Sequence, residues 1–201
     1  MGYIMASLHY YYSTMNAGKS LDLLRSNYNY QERGMKTYIL KPQIDTREEK
    51  EVIRSRTGLE AECELFGQEA DLFSMISEYT LLNGDIKCVF IDEAQFMTEA
   101  QVIQLALVVH KLGIPVVTYG LRSDFQGKLF PGSAALLVWA NKLTELKTIC
   151  WCGSKATMVL RLDTAGKVVR IGEQVQIGGN DSYVSVCSRH FLDGQIADTV
   201  Y

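Results

Sequence analysis

Along the chain, short unbroken apolar runs alternate with stretches in which apolar residues recur every three or four positions, and this predicts strands and helices in turn. Leu8-His9-Tyr10-Tyr11-Tyr12 is an apolar and aromatic run that ends at a loop closing on Gly18. From Lys19 onward Leu21, Leu24 and Tyr28 return at helical spacing, up to Arg33 and a stop at Gly34. Thr37 to Leu40 resumes as a strand, so the unit is βαβ, with a right-handed crossover and a parallel sheet. Between Ile44 and Glu62 the chain is charged and has no apolar period, which predicts a solvent-exposed or mobile loop. Leu72, Phe73, Ile76 and Tyr79 predict a second helix, and Cys88 to Ile91 a buried strand running into Asp92-Glu93. Thr98 and Gln101 form a capping box for a third helix reaching Leu112 and closed by Gly113. Pro115 to Tyr119 is another buried strand, and Ala134 to Leu143 a fourth helix. From about Ile149 the texture changes to cysteines, glycine-rich turns and alternating Met158, Leu160 and Leu162, a small β-rich module. The expected division is an α/β domain over 1–148 and a second module with the C-terminal tail over 149–201.

With 201 residues and 47% hydrophobic content the chain can bury one sizeable core and carry a small attached module. A net charge of -3 argues against a general nucleic-acid binder, which needs an excess of Lys and Arg. No apolar run approaches the roughly 18 residues that span a bilayer, and no secretion signal opens the sequence, so a cytosolic, membrane-free protein is expected. Gly2 does not make a myristoylation site, because Ala6 stands where Ser or Thr is required. Met5-Ala6-Ser7 is a candidate natural start behind a short extension. Five cysteines in such a chain read as free thiols or metal ligands rather than a disulfide framework.

Two constellations carry chemistry. Ser13 to Ser20 reads STMNAGKS, a G-x-x-x-x-G-K-[ST] phosphate loop whose opening glycine is replaced by Ser13. A bare GK[ST] arises by chance in roughly one chain of this length in ten, so context must decide. Here a strand leads in and a helix leads out, which places Gly18, Lys19 and Ser20 at a helix N-terminus, where free N–H groups favour anions. Cys88 to Glu93, CVFIDE, supplies the complementary acids: Asp92 can hold magnesium opposite Ser20, and Glu93 can reach a substrate. The second constellation is Cys150-x-Cys152 with Cys187-x-x-His190, four donors suited to a structural, tetrahedral zinc. Cys63 and Cys88 read as structural, and His9 and His110 as packing or surface residues.

STMNAGKS, the IDEAQF acids, YGLRSDFQGKLF, the cysteine pair near residue 150 and IGGNDSYVSVC occur in an order and spacing that resemble the cellular and bacterial type of thymidine kinase. These are tetrameric, zinc-containing enzymes with a RecA-like core, and the resemblance runs from about Leu8 to His190. It implies that ATP donates its γ-phosphoryl group to the 5′-hydroxyl of thymidine. Ser13, Thr14, Met15, Asn16, Ala17, Gly18, Lys19 and Ser20 would cradle the phosphates, and Asp92, Glu93, Ala94 and Gln95 would complete the ATP site. Asp92 and Ser20 would hold magnesium, Glu93 would be the base, and Lys19 and Arg47 would offset developing charge. Met15, Phe96, Leu121, Phe125 and Phe130 match the pyrimidine pocket wall. Ile177, Gly178, Gly179 and Tyr183 match a lasso loop that closes on the nucleoside. Zinc at Cys150, Cys152, Cys187 and His190 would staple the segment carrying the lasso. The first cysteine sits one residue later than in the commoner family pattern, and His190 replaces a cysteine, yet both are legitimate ligands. The alternatives are a P-loop kinase of another deoxynucleoside and a RecA-like nucleic-acid-dependent ATPase, which the acidic balance disfavours.

Overall fold

The computed structural model describes residues 6–43, 51–174 and 182–197. Arg47, Ile177, Gly178 and Gly179 lie outside the described residues. The first unit is β1 (Leu8–Ser13), α1 (Lys19–Gln31) and β2 (Lys36–Pro42). Three short strands follow, β3 (Val52–Arg54), β4 (Glu60–Glu62) and β5 (Glu64–Phe66). Next come α2 (Leu72–Asn83), β6 (Ile86–Ile91), a 3-10 turn over Ala94–Phe96 and α3 (Glu99–Leu107), which continues as a π-helical turn over Val108–Leu112. β7 (Val116–Leu121), α4 (Pro131–Trp139) and β8 (Lys142–Glu145) complete the α/β part.

The central sheet has the order β5-β2-β6-β7-β1-β8, and every pair in it is parallel. A parallel sheet is covered on both faces, and β6 accordingly reads as a nearly continuous buried run. Its residues alternate between two cores: Cys88 and Phe90 pack with Leu23 and Leu24 of α1, while Val89 and Ile91 pack with Leu72, Val102, Leu105 and Leu136 of α2, α3 and α4. Each such side chain contributes about 1.5–3 kcal/mol through burial. Cys63 and Cys88 are buried in the α1-side core, and neither is in a disulfide.

The capping box at Thr98 forms in both directions, and Gly113 ends the π-helical turn in the left-handed conformation, φ 68°. Gly34 closes α1 as expected, since its N–H donates to Gln31 O and that of Met35 to Tyr30 O, a Schellman pair.

Three expectations need correction. The buried stripe of α1 is Lys19, Leu23, Leu24 and Asn27, whereas Leu21 and Tyr28 are exposed. Asn27 occupies an apolar-stripe position because Thr37 Oγ1 donates to its Oδ1 at 2.5 Å, so a satisfied polar group hides the period. The stretch expected to be one loop contains the antiparallel β3–β4 hairpin, which buries Ile53 and Ser55 beneath a charged outer face. The fourth helix begins at Pro131, a residue suited to a first helical turn, and ends before Lys142 to Glu145 enter the sheet beside β1.

The remaining chain forms a separate β-rich cluster. β9 (Thr148–Ile149) pairs with β10 (Lys155–Ala156), and β11 (Met158–Leu162) lies between β12 (Val168–Val169) and β13 (Tyr183–Val186), all antiparallel. α5 (Ser188–Asp193) closes it over a core of Cys150, Ala156, Leu160 and Val186.

Candidate active site and metal centre

The C-terminal ends of β1, β6 and β7 meet at one edge of the sheet, the place where open parallel sheets bind ligands. β1 delivers Ser13 there, and the turn after it reaches α1 through Gly18 at φ 78°, a left-handed conformation favouring glycine. No side chain caps α1, so the N–H groups of its first turn lack a side-chain acceptor. Such an end suits an anion. Ser13 is buried and its hydroxyl donates to Thr14 O, so the position usually held by glycine is filled without a positive φ.

Lys19 is 8% exposed, and its ammonium donates to Ser13 Oγ at 3.2 Å and to Thr14 O at 2.9 Å. Burial pushes its pKa down, while the Glu93 and Asp92 carboxylates hold it up. At the end of β6 Asp92 is buried and accepts from Ser20 Oγ at 2.8 Å, which joins the last loop residue to the acidic strand end. Burial, with Glu93 alongside, pushes Asp92 up to about 6, against the pull of the Ser20 hydroxyl. A hydroxyl, a carboxylate and a nearby second carboxylate in a desolvated corner form an oxygen donor set suited to magnesium.

Glu93 follows in the left-handed region, φ 51° and ψ 34°. A non-glycine residue there is uncommon and carries strain. Its N–H donates to Asp92 Oδ1 at 3.0 Å, and its Oε2 accepts from Gln95 Nε2 at 2.5 Å. Gln95 is 0% exposed, and its Oε1 accepts from Leu121 N at 3.0 Å. The Ala94–Phe96 turn lies so close to its neighbours that a Cβ on Gly120 would come 2.9 Å from Gln95 Oε1, and one on Gly132 would collide with Ala94 O.

The residues matched to a pyrimidine wall fall as follows in the structure. Phe96 and Phe130 meet edge to face at 5.5 Å, and Phe125 is buried beneath the guanidinium of Arg161, 3.7 Å from its ring centre. Leu121 and Met15 are half-buried, and Ser185 Oγ on β13 donates to Met15 O at 2.7 Å. Tyr183, two residues before on the same strand, pairs in register with Arg161. The β-rich cluster therefore docks on the loop between β1 and α1.

Sequence reasoning missed that bridge, the stack of Arg161 on Phe125 and the contact of Gln174 Nε2 with Asp124 Oδ2 at 2.8 Å. The spacing of Ser185 or Arg161 carries no signal for these contacts, because the partners are 170 and 36 residues away in sequence. Only the buried arginine in an apolar strand, MVLRL, hinted at a partner.

The second constellation also assembles. Cys150 Sγ, Cys152 Sγ, Cys187 Sγ and a ring nitrogen of His190 all lie within 4.8 Å of one another. His190 Nδ1 is 3.3 Å from Cys150 Sγ and 3.4 Å from Cys187 Sγ. Ligands about 2.0–2.3 Å from one tetrahedral zinc stand at about such separations, so the donor set fits the metal. The tight turn from Cys150 to Gly153 brings the two cysteines of the C-x-C pair to one side, and α5 supplies His190, whose ring stacks on Trp151 at 4.2 Å. Ser154 beside Cys152 brings that thiol down to about 7, whereas burial pushes Cys150 up. A cleft lined by Trp151, Lys155, Arg189 and the cluster itself opens here.

The family model described as thymidine kinase matches residues 6–191. A thymidine kinase of Rhodopirellula baltica is 57% identical over 189 residues, 94% of this chain and 89% of its own. One from Pasteurella multocida is 56% identical over 94% of this chain and 98% of its own, and one from Coxiella burnetii 51% identical over 97% and 100%.

Proposed function

The chain belongs to the thymidine kinase family, and from that premise we propose that it transfers the γ-phosphoryl group of ATP to the 5′-hydroxyl of thymidine or deoxyuridine in pyrimidine salvage. The observation that carries the reading is the joining of the phosphate loop to the acidic strand end, Ser20 Oγ to Asp92 Oδ2 at 2.8 Å, with buried Lys19 on one side and Glu93 on the other. Phosphoryl transfer needs positioning and charge neutralisation more than covalent chemistry, and these residues supply both.

In this reading the uncapped start of α1 and the loop from Ser13 to Ser20 hold the phosphates. Lys19 turns its ammonium from Ser13 and Thr14 to the outer phosphate oxygens. Ser20 and Asp92 hold magnesium, which when bound neutralises charge on the transferring group. Glu93 accepts the proton of the 5′-hydroxyl and orients its oxygen for in-line attack. Arg47 adds positive charge at the same place. Met15, Phe96, Leu121, Phe125 and Phe130 form the slot for the base, which Ile177, Gly178, Gly179 and Tyr183 close. Ala94 and Gln95 support the acidic corner. Cys150, Cys152, Cys187 and His190 hold a structural zinc, and the chain divides near residue 148 into the phosphate-binding and lasso-bearing parts. The protein works in the cytosol as a homotetramer, with thymidine and ATP as its ligands and no nucleic acid or membrane partner. Among the described residues no helix is long and apolar enough to cross a membrane.

The test is phosphoryl transfer from labelled ATP and magnesium to thymidine, with deoxycytidine and deoxyadenosine beside it. Thymidine-selective product is expected, and Glu93→Gln should lower kcat by about 10²–10⁴-fold while ATP binding stays within about twofold. Wild-type protein that phosphorylates no nucleoside would remove the kinase reading, and turnover surviving in the variant would move the base elsewhere.

A further inference from the structure

The side chain of Gln95 uses both ends of its amide and keeps nothing for solvent. Nε2 donates to the Glu93 carboxylate at 2.5 Å, Oε1 accepts from Leu121 N at 3.0 Å, and the residue is 0% exposed. The far end of this bridge is anchored. Leu121 O accepts from Tyr10 Oη at 2.8 Å and from Ser133 Oγ at 2.6 Å, so the end of β7 is tied to β1 and α4 at the point where Gln95 attaches. The residue before it, Gly120, leaves room for the amide, since a Cβ there would stand 2.9 Å from Gln95 Oε1. The near end is a carboxylate on a strained backbone, φ 51°, which would relax unless its neighbours hold it.

We propose that Gln95 is a positioning residue for the phosphoryl transfer: a buried strut that fixes the Glu93 carboxylate at a set distance from Leu121 and so from the base pocket. The proposal rests on the kinase reading above. A carboxylate needs two constraints beyond its own bonds to point one oxygen at a hydroxyl, and the left-handed backbone and the Gln95 amide are the two the geometry provides. This role differs from nucleotide contact, because both polar ends of the Gln95 side chain are already engaged within the protein.

Two substitutions separate the roles. Gln95→Glu keeps an acceptor for Leu121 N but replaces the donor facing Glu93 by a second carboxylate. Gln95→Leu removes both ends at similar volume. Misplacing a reacting group by about 1 Å costs on the order of 10²-fold, and a drop in kcat of that size is expected in both variants, with KM for ATP and for thymidine within about threefold. Wild-type turnover of thymidine, measured in the same experiment, keeps the kinase reading separate. If wild type is active and Gln95→Glu retains kcat within threefold, the strut does no positioning. If KM for ATP rises in step with the loss, Gln95 acts on the nucleotide and the proposal falls. If neither variant folds, as judged by circular dichroism and ATP binding, the residue is structural and the proposal falls equally.

Discussion

Asp92 carries a conflict that a single atom exchange exposes. Its carboxylate is 3% exposed, and burial beside Glu93 pushes its pKa up to about 6. The sign follows from linkage: between the unfolded value near 3.8 and about 6 the folded state holds a proton that the unfolded chain has released. Raising the pH through that window therefore lowers stability, and above about 6 the buried charge is a standing cost in the empty protein. Asp92→Asn removes it while Oδ1 still accepts from Glu93 N and the new Nδ2 donates to the Ser20 hydroxyl, whose proton can rotate away. The metal-free variant at pH 7.5 should melt no lower than wild type, and its gain should be about 1 kcal/mol. Magnesium and ATP should no longer raise its melting temperature, and turnover should fall by at least about 10²-fold. A melting temperature several degrees below wild type would mean that the carboxylate stabilises the fold. The meeting of Lys19 and Ser20 with Asp92 and Glu93 was legible in the sequence because a loop-to-helix start and an acidic strand end occupy fixed places in a parallel sheet. Gln95 was legible only as a neighbour of the acids. Its bridge to Leu121 needs the packing of the 3-10 turn over Gly120 and Gly132, which no local pattern encodes.

Among the elements, those whose boundaries are set locally agreed with the sequence. The capping box at Thr98 and the Schellman end at Gly34 depend on residues within five positions of each other. β8 and the β3–β4 hairpin did not. β8 exists because β1 needs a neighbour, and Lys142 to Glu145 carry no strand pattern of their own. β3 and β4 show one buried side among charges. The cluster around Cys150 and His190 is the element where ligation would substitute for core, since its fully buried apolar centre consists of Cys150, Ala156, Leu160 and Val186. Structural zinc contributes folding energy outright in small modules. Chelation should therefore release exchange protection first in β9, β10 and α5, with β6 and β7 unchanged. Simultaneous loss in both parts would show that the metal supports the whole chain. Because Ser185 bonds Met15 O, a slower loosening of the phosphate loop should follow, visible as weaker ATP binding.

Across the whole molecule, stability against acid reads out the join between β1 and the edge of the sheet. His9 on β1 meets Thr144 Oγ1 of β8 at 2.8 Å, and burial, with Lys142 nearby, lowers its pKa below 6.5. Above 6.5 the imidazole is neutral both folded and unfolded; below it the unfolded chain takes up a proton that the fold resists, so stability falls as pH drops. Replacing His9 by Gln should flatten the melting temperature between about pH 6.5 and 5, whereas an unchanged slope would assign it to other groups. The same strand has a history as well as a place. Among the described residues β1 pairs with β7, which begins at Val116, and with β8, which begins at Lys142, while β2 and β6 already have each other. On a translating ribosome the tyrosine-rich β1 therefore emerges before both of its partners and waits for about a hundred residues before it gains a neighbour. Its edges stay open through that interval, so the nascent chain offers chaperones an unpaired aromatic segment, and the corner between Ser20 and Asp92 closes only after β7, which lies between β6 and β1, has been made.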